Sequence, residues 1–563
     1  MKSLVGLVTN MRNLLTNNLR KKLTFHKPAL QFIFLCFGGL FTYIFSKLLL
    51  LKPEGVYIGQ ANAWSDWVVH ISITNIFAHK PISEWFLYHP FFADSKLTYG
   101  FLVHLITAFF VKAGLPLDIA FFIVSVILLF LLLTGLYVLY YLLSKSRVQS
   151  ILGLCIFFTS SGMGIFRYLP DITIQTLLYP TKDYSRFIEY EWLAGNIPAA
   201  LLIPQRAFFI GATIGVWVLN LLLIAIHKKK KPTQQKKILF IAGILAGILP
   251  IAHMHSFIAI VIITGIICVY HKKKLQTLLF FIVPATILST LLYSTFIHEG
   301  IQIDSFMSIL IGWTAPSGVL SWFIMWLNLW GTFVPSVIFA LFYLKKNKNL
   351  QKYFPFYLGL IALFSIANLI SFQPTKWDNT KLFAWVYLGF SILVAQLIMQ
   401  LWNKSIKVKI ILVILMITLS LTGAVEIMRI LHFSQNTYLL SSNTEVQFAK
   451  KIRENTKTDA IFLTSTHHNH PIPLWASRPI FLGYLGWVRN FGFDDTLRKQ
   501  QIHTIFSGER EADQIIIENN ISYIYVGPKE KSAFSINQEY LHNFPIAFQN
   551  TDTTVYDVRQ LWQ

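Results

Sequence analysis

Apolar runs about twenty residues long, separated by polar stretches, recur from Pro28 to Ile430. A helix of that length crosses the ~30 Å hydrocarbon core of a bilayer. The polar stretches are of two kinds. Those at 1–28, 145–147, 228–237, 272–274, 345–352 and 403–409 hold Lys and Arg without a single Asp or Glu, so all 26 acidic residues fall elsewhere. Loops rich in Lys and Arg stay in the cytoplasm. Putting all six inside predicts about eleven spans, near 29–51, 119–143, 148–166, 205–227, 237–252, 254–270, 275–297, 319–344, 353–372, 382–402 and 408–431. The fold class is therefore a polytopic α-helical membrane protein of the cell (inner) membrane, with a cytoplasmic N-terminus.

The same parity keeps one apolar segment, Leu97–Val111, from crossing. A span there would move Lys145 and Arg147 to the wrong face, so the segment is expected to lie at the outer interface or re-enter from it. Spans five and six are separated only by His253-Met254-His255 and predict a hairpin. The basic start, the first apolar run and Ala61-Asn62-Ala63 imitate a cleaved secretory signal. That run is too long and too far from Ala63, and reads as an uncleaved first span.

Near Thr437 the pattern changes. Strand-like runs at 460–464, 479–482 and 521–526 alternate with helical patterns at 444–455 and 509–519, which predicts a soluble α/β domain. The expected organisation is a basic cytoplasmic N-terminus at 1–28, a membrane domain at 29–431 with an external loop at 52–118, and an extracytoplasmic domain at 432–563. The formal net charge of +22 belongs to the cytoplasmic loops, so it marks topology and not a nucleic-acid partner. The 3 cysteines, Cys36, Cys155 and Cys268, all fall in expected spans and offer neither a disulfide framework nor a thiolate metal site.

Candidate chemistry collects on the external side. Asp66 and His70 are four apart, on one face of an expected helix whose Trp64, Trp67, Val68 and Ile71 would lie in the interface. A carboxylate there suits proton removal from an acceptor, and His70 would orient it or hold a metal. Gln205 and Arg206 sit at the outer mouth of the fourth span, where a guanidinium and a helix N-terminus suit a phosphate. His253 and His255 are ionisable groups at membrane depth, which are functional candidates by default. The polar stretch 373–381 supplies Asp378 as a second carboxylate, Lys381 as a phosphate contact and Trp377 as a sugar-stacking ring. In the C-terminal domain His467, His470, Arg478 and Tyr484 follow an expected strand, where binding loops of α/β units lie. Each also has a plain structural reading, as a cap, a snorkelling side chain or a solvated loop. No set of these residues has the spacing of a dedicated metal site; a divalent ion at Asp66 and the histidines is compatible with the sequence but not required by it.

A cytoplasmic N-terminus, a long first external loop with an early acidic residue, eleven to thirteen spans and an external C-terminal domain resemble the GT-C superfamily of glycosyltransferases. The resemblance implies a sugar donor on a polyprenyl phosphate or diphosphate, transfer on the outer face, and Asp66 at the position of a first-loop catalytic acid. The chain lacks an acidic pair in that loop and the Trp-Trp-Asp-Tyr-Gly signature of oligosaccharyltransferases, which argues against a peptide acceptor. The expected activity is transfer from a polyprenyl-phosphate-linked sugar to a glycan, lipid or protein acceptor. Asp66, His70 and Asp378 would do the chemistry, and Arg206 and Lys381 would hold the phosphate. The alternative is a non-catalytic subunit for lipid or glycan transport or cell-envelope assembly. Uneven external loops and few charges inside the spans disfavour a transporter.

Overall fold

The computed structural model describes residues 18–227, 230–298, 306–343 and 345–562. The basic stretch at 1–17 and two lysines of the 228–237 loop lie outside the described residues. Seven described helices are long and apolar enough to cross a membrane: His26–Phe45, Leu117–Ser144, Arg206–His227, Pro232–Ala252, Lys272–Phe296, Lys376–Leu401 and Ile406–Leu431. A further apolar pair, Val319–Trp330 and Phe333–Tyr343, is bent by 100° at Gly331, whose φ of 58° few side chains tolerate. Arg147–Phe158, Met254–Tyr270 and Phe354–Ala367 are apolar but shorter. Every expected span thus has a helix at its position, and four of them are short or broken.

The interruptions have local causes. The helix ending at Phe158 runs into Thr159-Ser160-Ser161, and the Asn196 amide donates to the Phe158 and Ser160 carbonyls at 3.1 and 3.0 Å, taking over acceptors that another turn would have used. His253 adopts an extended backbone between two helices and caps the second, its Nδ1 accepting from the Ser256 N–H at 3.1 Å. The first helix stops at Phe45 and does not continue to residue 51. Leu49–Lys52 is a strand, β1, paired antiparallel with β2, Gly55–Ile58. Leu102–Lys112 has 11 residues, about 16 Å of helix, too short to cross.

A two-stranded ribbon joins β3 (Ser308–Ile309) to β4 (Ile370–Ser371). Strand β5, Tyr438–Ser442, follows the last span and pairs antiparallel with β2, so β1, β2 and β5 form one sheet. The C-terminal region contains the four-stranded sheet β6-β7-β9-β8, built from Ile461–Leu463, Ile521–Val526, Thr554–Asp557 and Ile546–Gln549. β6 and β7 run parallel, and the remaining pairs antiparallel.

The loop at 52–118 is woven into this region. Ile480 N–H donates to the Pro90 carbonyl and Ala93 N–H to the Ile480 carbonyl, both at 3.1 Å, and Gly483 N–H reaches the Phe91 carbonyl at 2.7 Å. A Cβ on Gly483 would stand 2.7 Å from that of Phe91, so only glycine allows the approach. The Asn75 amide donates to the Leu474 carbonyl at 2.7 Å. This interweaving also corrects the expected interfacial stripe at Trp67, Val68 and Ile71, while Trp64 stays exposed. The Asp66–His79 helix is buried from Trp67 through Phe77, covered by protein and not by lipid.

Candidate active site

Four elements surround a cavity of about 370 Å³: the start of the Asp66–His79 helix, the break at His253, the turn 373–381, and the short helix Leu485–Asn490 with Phe491. Asp66, Gln205, His253, His255, Trp377, Asp378 and Lys381 all line it. Residues from four separate stretches of the sequence therefore meet at one place.

Asp66 opens its helix without capping it. Ser65 is the N-cap, makes no side-chain cap bond, and no hydrogen bond or ion pair joins Asp66 to another described residue. Burial pushes its carboxyl up to about 6, against the pull of Lys381 and with a further push from Asp378. A carboxylate poised there exchanges a proton near neutral pH.

Asp378 and Lys381 form a buried ion pair, and the ammonium stands 5.2 Å from the centre of the Trp377 ring. The Thr375 hydroxyl lies 3.0 Å from Asp378 Oδ2. The turn is pinned from below: the Asn379 amide donates to the Ala367 and Ile370 carbonyls at 3.1 and 2.6 Å, while its oxygen accepts from Phe372 N–H at 3.1 Å. Lys381 thus holds one fixed positive charge beside two carboxylates.

The His253 and His255 rings stand 5.6 Å apart. His253 is spent on its cap, whereas the buried Nε2 of His255 has no hydrogen-bond partner among the described residues. His70 also borders the cavity, but both its ring nitrogens are engaged. Nδ1 meets His104 Nε2 at 2.7 Å, and Nε2 lies 3.0 Å from the Pro204 carbonyl and 3.2 Å from Arg206 N–H. Burial, with the Arg206 charge, pushes its pKa down to about 3. The ring is a neutral strut with no lone pair free for a metal and no bond to Asp66, which corrects both expected roles. Among the described residues no three His, Cys, Asp or Glu side chains converge as a metal-ligand set.

Arg206 is likewise not the expected phosphate clamp. It is 2% exposed and donates to Ser125 Oγ and Thr107 Oγ1, both at 2.9 Å, and to the Phe121 carbonyl at 3.3 Å. Its guanidinium lies 4.1 Å from the Phe121 ring centre. It braces three helices and does not border the cavity.

The four C-terminal candidates also stand outside. His470 is buried against Glu530, 3.2 Å from its Oε1, with its Nδ1 accepting from Ile472 N–H. Arg478 is buried and donates to the Arg453, Thr456 and Ala476 carbonyls. His467 is exposed and contacts Ser465. Tyr484 caps the Leu485–Asn490 helix and packs on Trp487. The cavity takes the neighbours instead: Trp487, Asn490 and Phe491, with Tyr99 from the first loop. A Trp and an Asn three residues apart on one short helix face were the available signal.

The crystal structure of the oligosaccharyltransferase from Archaeoglobus fulgidus in the apo form superposes with a TM-score of 0.51 at 14% identity, covering 89% of this chain and 69% of that one. The fold is similar to that of this oligosaccharyltransferase. The oligosaccharyltransferase AglB from Archaeoglobus fulgidus in complex with an inhibitory peptide and a dolichol-phosphate gives 0.49 at 12% identity, over 90% of this chain and 70% of that one. ArnT from Cupriavidus metallidurans bound to undecaprenyl phosphate gives 0.47 at 10% identity, over 95% and 98%. No protein-family model and no curated protein matches the sequence. The cavity lies where the first loop, the helical bundle and the C-terminal region meet.

Proposed function

We propose that this GT-C protein is a glycosyltransferase that moves a sugar from a polyprenyl-phosphate carrier to an acceptor on the outer face of the membrane. The observation that carries the reading is the partnerless Asp66 carboxylate, poised near 6, sharing one cavity with the Asp378–Lys381 pair. The six acid-free basic stretches support the orientation, with the C-terminal region 432–563 outside.

The roles follow from charge. Asp66 takes the proton from the acceptor O–H or N–H as that atom bonds to the anomeric carbon. The carbon–oxygen bond to the carrier phosphate breaks, and its electron pair leaves with the phosphate. The Lys381 side chain meets the negative charge that develops there, and Asp378 holds it in place. Trp377, Trp487 and Tyr99 offer ring faces to a sugar, and His255 Nε2 offers one hydrogen bond. Ile258, Ile297 and Met307 on another wall suit the start of a lipid chain.

The test is turnover. The purified chain in liposomes, given a polyprenyl-phosphate-linked sugar and candidate acceptors, should release free polyprenyl phosphate. A carrier subunit without catalytic power would bind the donor and release none.

A further inference from the structure

The second external loop presents an apolar surface that none of the proposed chemistry uses. Between Phe166 and Tyr179, seven large apolar side chains are exposed, among them Phe166, Leu169, Leu177, Leu178 and, at 84%, Ile174; Ile188 follows at 75%. Soluble surfaces rarely expose so many neighbouring apolar groups. The opposite side of the loop is anchored, because Ile165, Tyr168 and Tyr184 pack on Val425 of the last span.

We infer that this loop is seated in the outer leaflet, with the lipid bilayer as the partner its surface fits. Three observations choose lipid. The patch continues an exposed apolar stripe of the Ile406–Leu431 span, including Ile410, Ile414, Ile417, Leu421 and Met428. Its depth is set by Tyr179, whose ring lies 4.4 Å from that of His432, the residue capping the outer end of that span. Interfacial Tyr suits that level. The charges within the stretch are neutralised locally: Asp171 binds Lys182 and the Tyr184 hydroxyl, each at 2.8 Å, and Arg167 binds Glu189 at 2.5 Å. Ion pairing lowers the cost of holding charge beside lipid. The loop thereby fixes its own polar end, where Arg186 donates to Asn62 at 2.6 Å, four residues before Asp66. The inference depends on the proposed orientation only in naming the leaflet.

The test reads depth. In a Cys36→Ala, Cys155→Ala, Cys268→Ala background, Ile174→Cys and Lys182→Cys are labelled with a polarity-sensitive fluorophore in phosphatidylethanolamine–phosphatidylglycerol liposomes. The label at 174 should be blue-shifted and lose most of its emission to a nitroxide near the head of the acyl chain, while the label at 182 is quenched by aqueous iodide. Iodide quenching at 174 equal to that at 182 overturns the inference. So does shielding of 174 from both quenchers, which marks a protein-covered face. On the unaltered chain, a lipid-soluble photoactivated carbene should label 166–179 as it labels 406–431. Absence of label from that peptide contradicts the seat in lipid, whatever the folding of the cysteine variants.

Discussion

The Thr375 hydroxyl lies 2.5 Å from the side-chain oxygen position of Asn490, a residue of the C-terminal region. It also lies 3.0 Å from Asp378 Oδ2, and one hydroxyl proton cannot serve two acceptors. The network is complete when the Asn490 amide turns its NH2 to Thr375, which then donates to Asp378. Asn490 is thus a positioning residue, acting on the carboxylate through Thr375. Thr375→Val and Asn490→Ala should each lower kcat by about tenfold, for a bond worth roughly 1.5 kcal/mol. The double variant should be no worse than Thr375→Val, because both changes break one chain. Independent, multiplying losses would show that the two act separately.

Asp66 should make the protein less stable in the form that works. Its folded pKa of about 6 exceeds the ordinary carboxylate value of 3.8, so the protonated form is favoured in the fold. The stabilisation is complete below about 4 and is lost as pH rises through 6. Asp66→Asn should therefore unfold at higher temperature than wild type at pH 8, with a gain of at most about 3 kcal/mol. The gap should close at pH 4. An equal gap at both values would mean that the carboxyl titrates normally.

The Arg206 bonds to Thr107, Ser125 and Phe121 predict a folding defect and not a binding one. Arg206→Ala leaves buried hydroxyls without their donor and should cost roughly 3 kcal/mol or more. Thermal unfolding in detergent measures it, and the folded fraction should keep the wild-type KM for the carrier-linked sugar. A raised KM at unchanged stability would restore the phosphate role.

The contrast between Asp66 and Arg206 shows what the chain discloses on its own. Spans, loop signs and the polar stretch 373–381 are local, and the hydrophobic period with the Lys/Arg bias makes them legible. Asp66 stands out by its spacing to His70 in the first loop, and Asp378 and Lys381 by a dense polar cluster between two apolar runs; the three line one cavity. Arg206 has the same local signature, a charge at a helix mouth, but its partners lie 81 to 99 residues away, where no spacing rule reaches. Strand β1 was absorbed into the first expected span because Leu49-Leu50-Leu51 is as apolar as a helix in lipid. Its hairpin with β2 is short-range, but β2 also pairs with β5, from Tyr438 on, and no local pattern reaches that partner. Trp487 and Asn490 carry one local signal, a shared face of a short helix, but their place at the cavity depends on packing against the distant 373–381 turn.

That interweaving makes a prediction for the C-terminal region. Residues 432–563 expressed alone lack β2 and the 90–93 segment, so β5 and the edge at Ile480–Gly483 are exposed. The fragment should unfold without a sharp transition or associate, as unpaired edges do. A cooperative transition in a monomeric fragment would show a domain independent of the first loop.

The measurement closest to the central claim is transfer by purified Asp66→Asn protein, using a polyprenyl-phosphate-linked sugar and an acceptor that wild type accepts. The amide keeps the shape and removes the base, so turnover should fall about a hundred- to ten-thousand-fold while the thermal transition stays at or above that of wild type. Turnover within a factor of about two of wild type would contradict the role assigned to Asp66 and, with it, the chemistry proposed for the cavity.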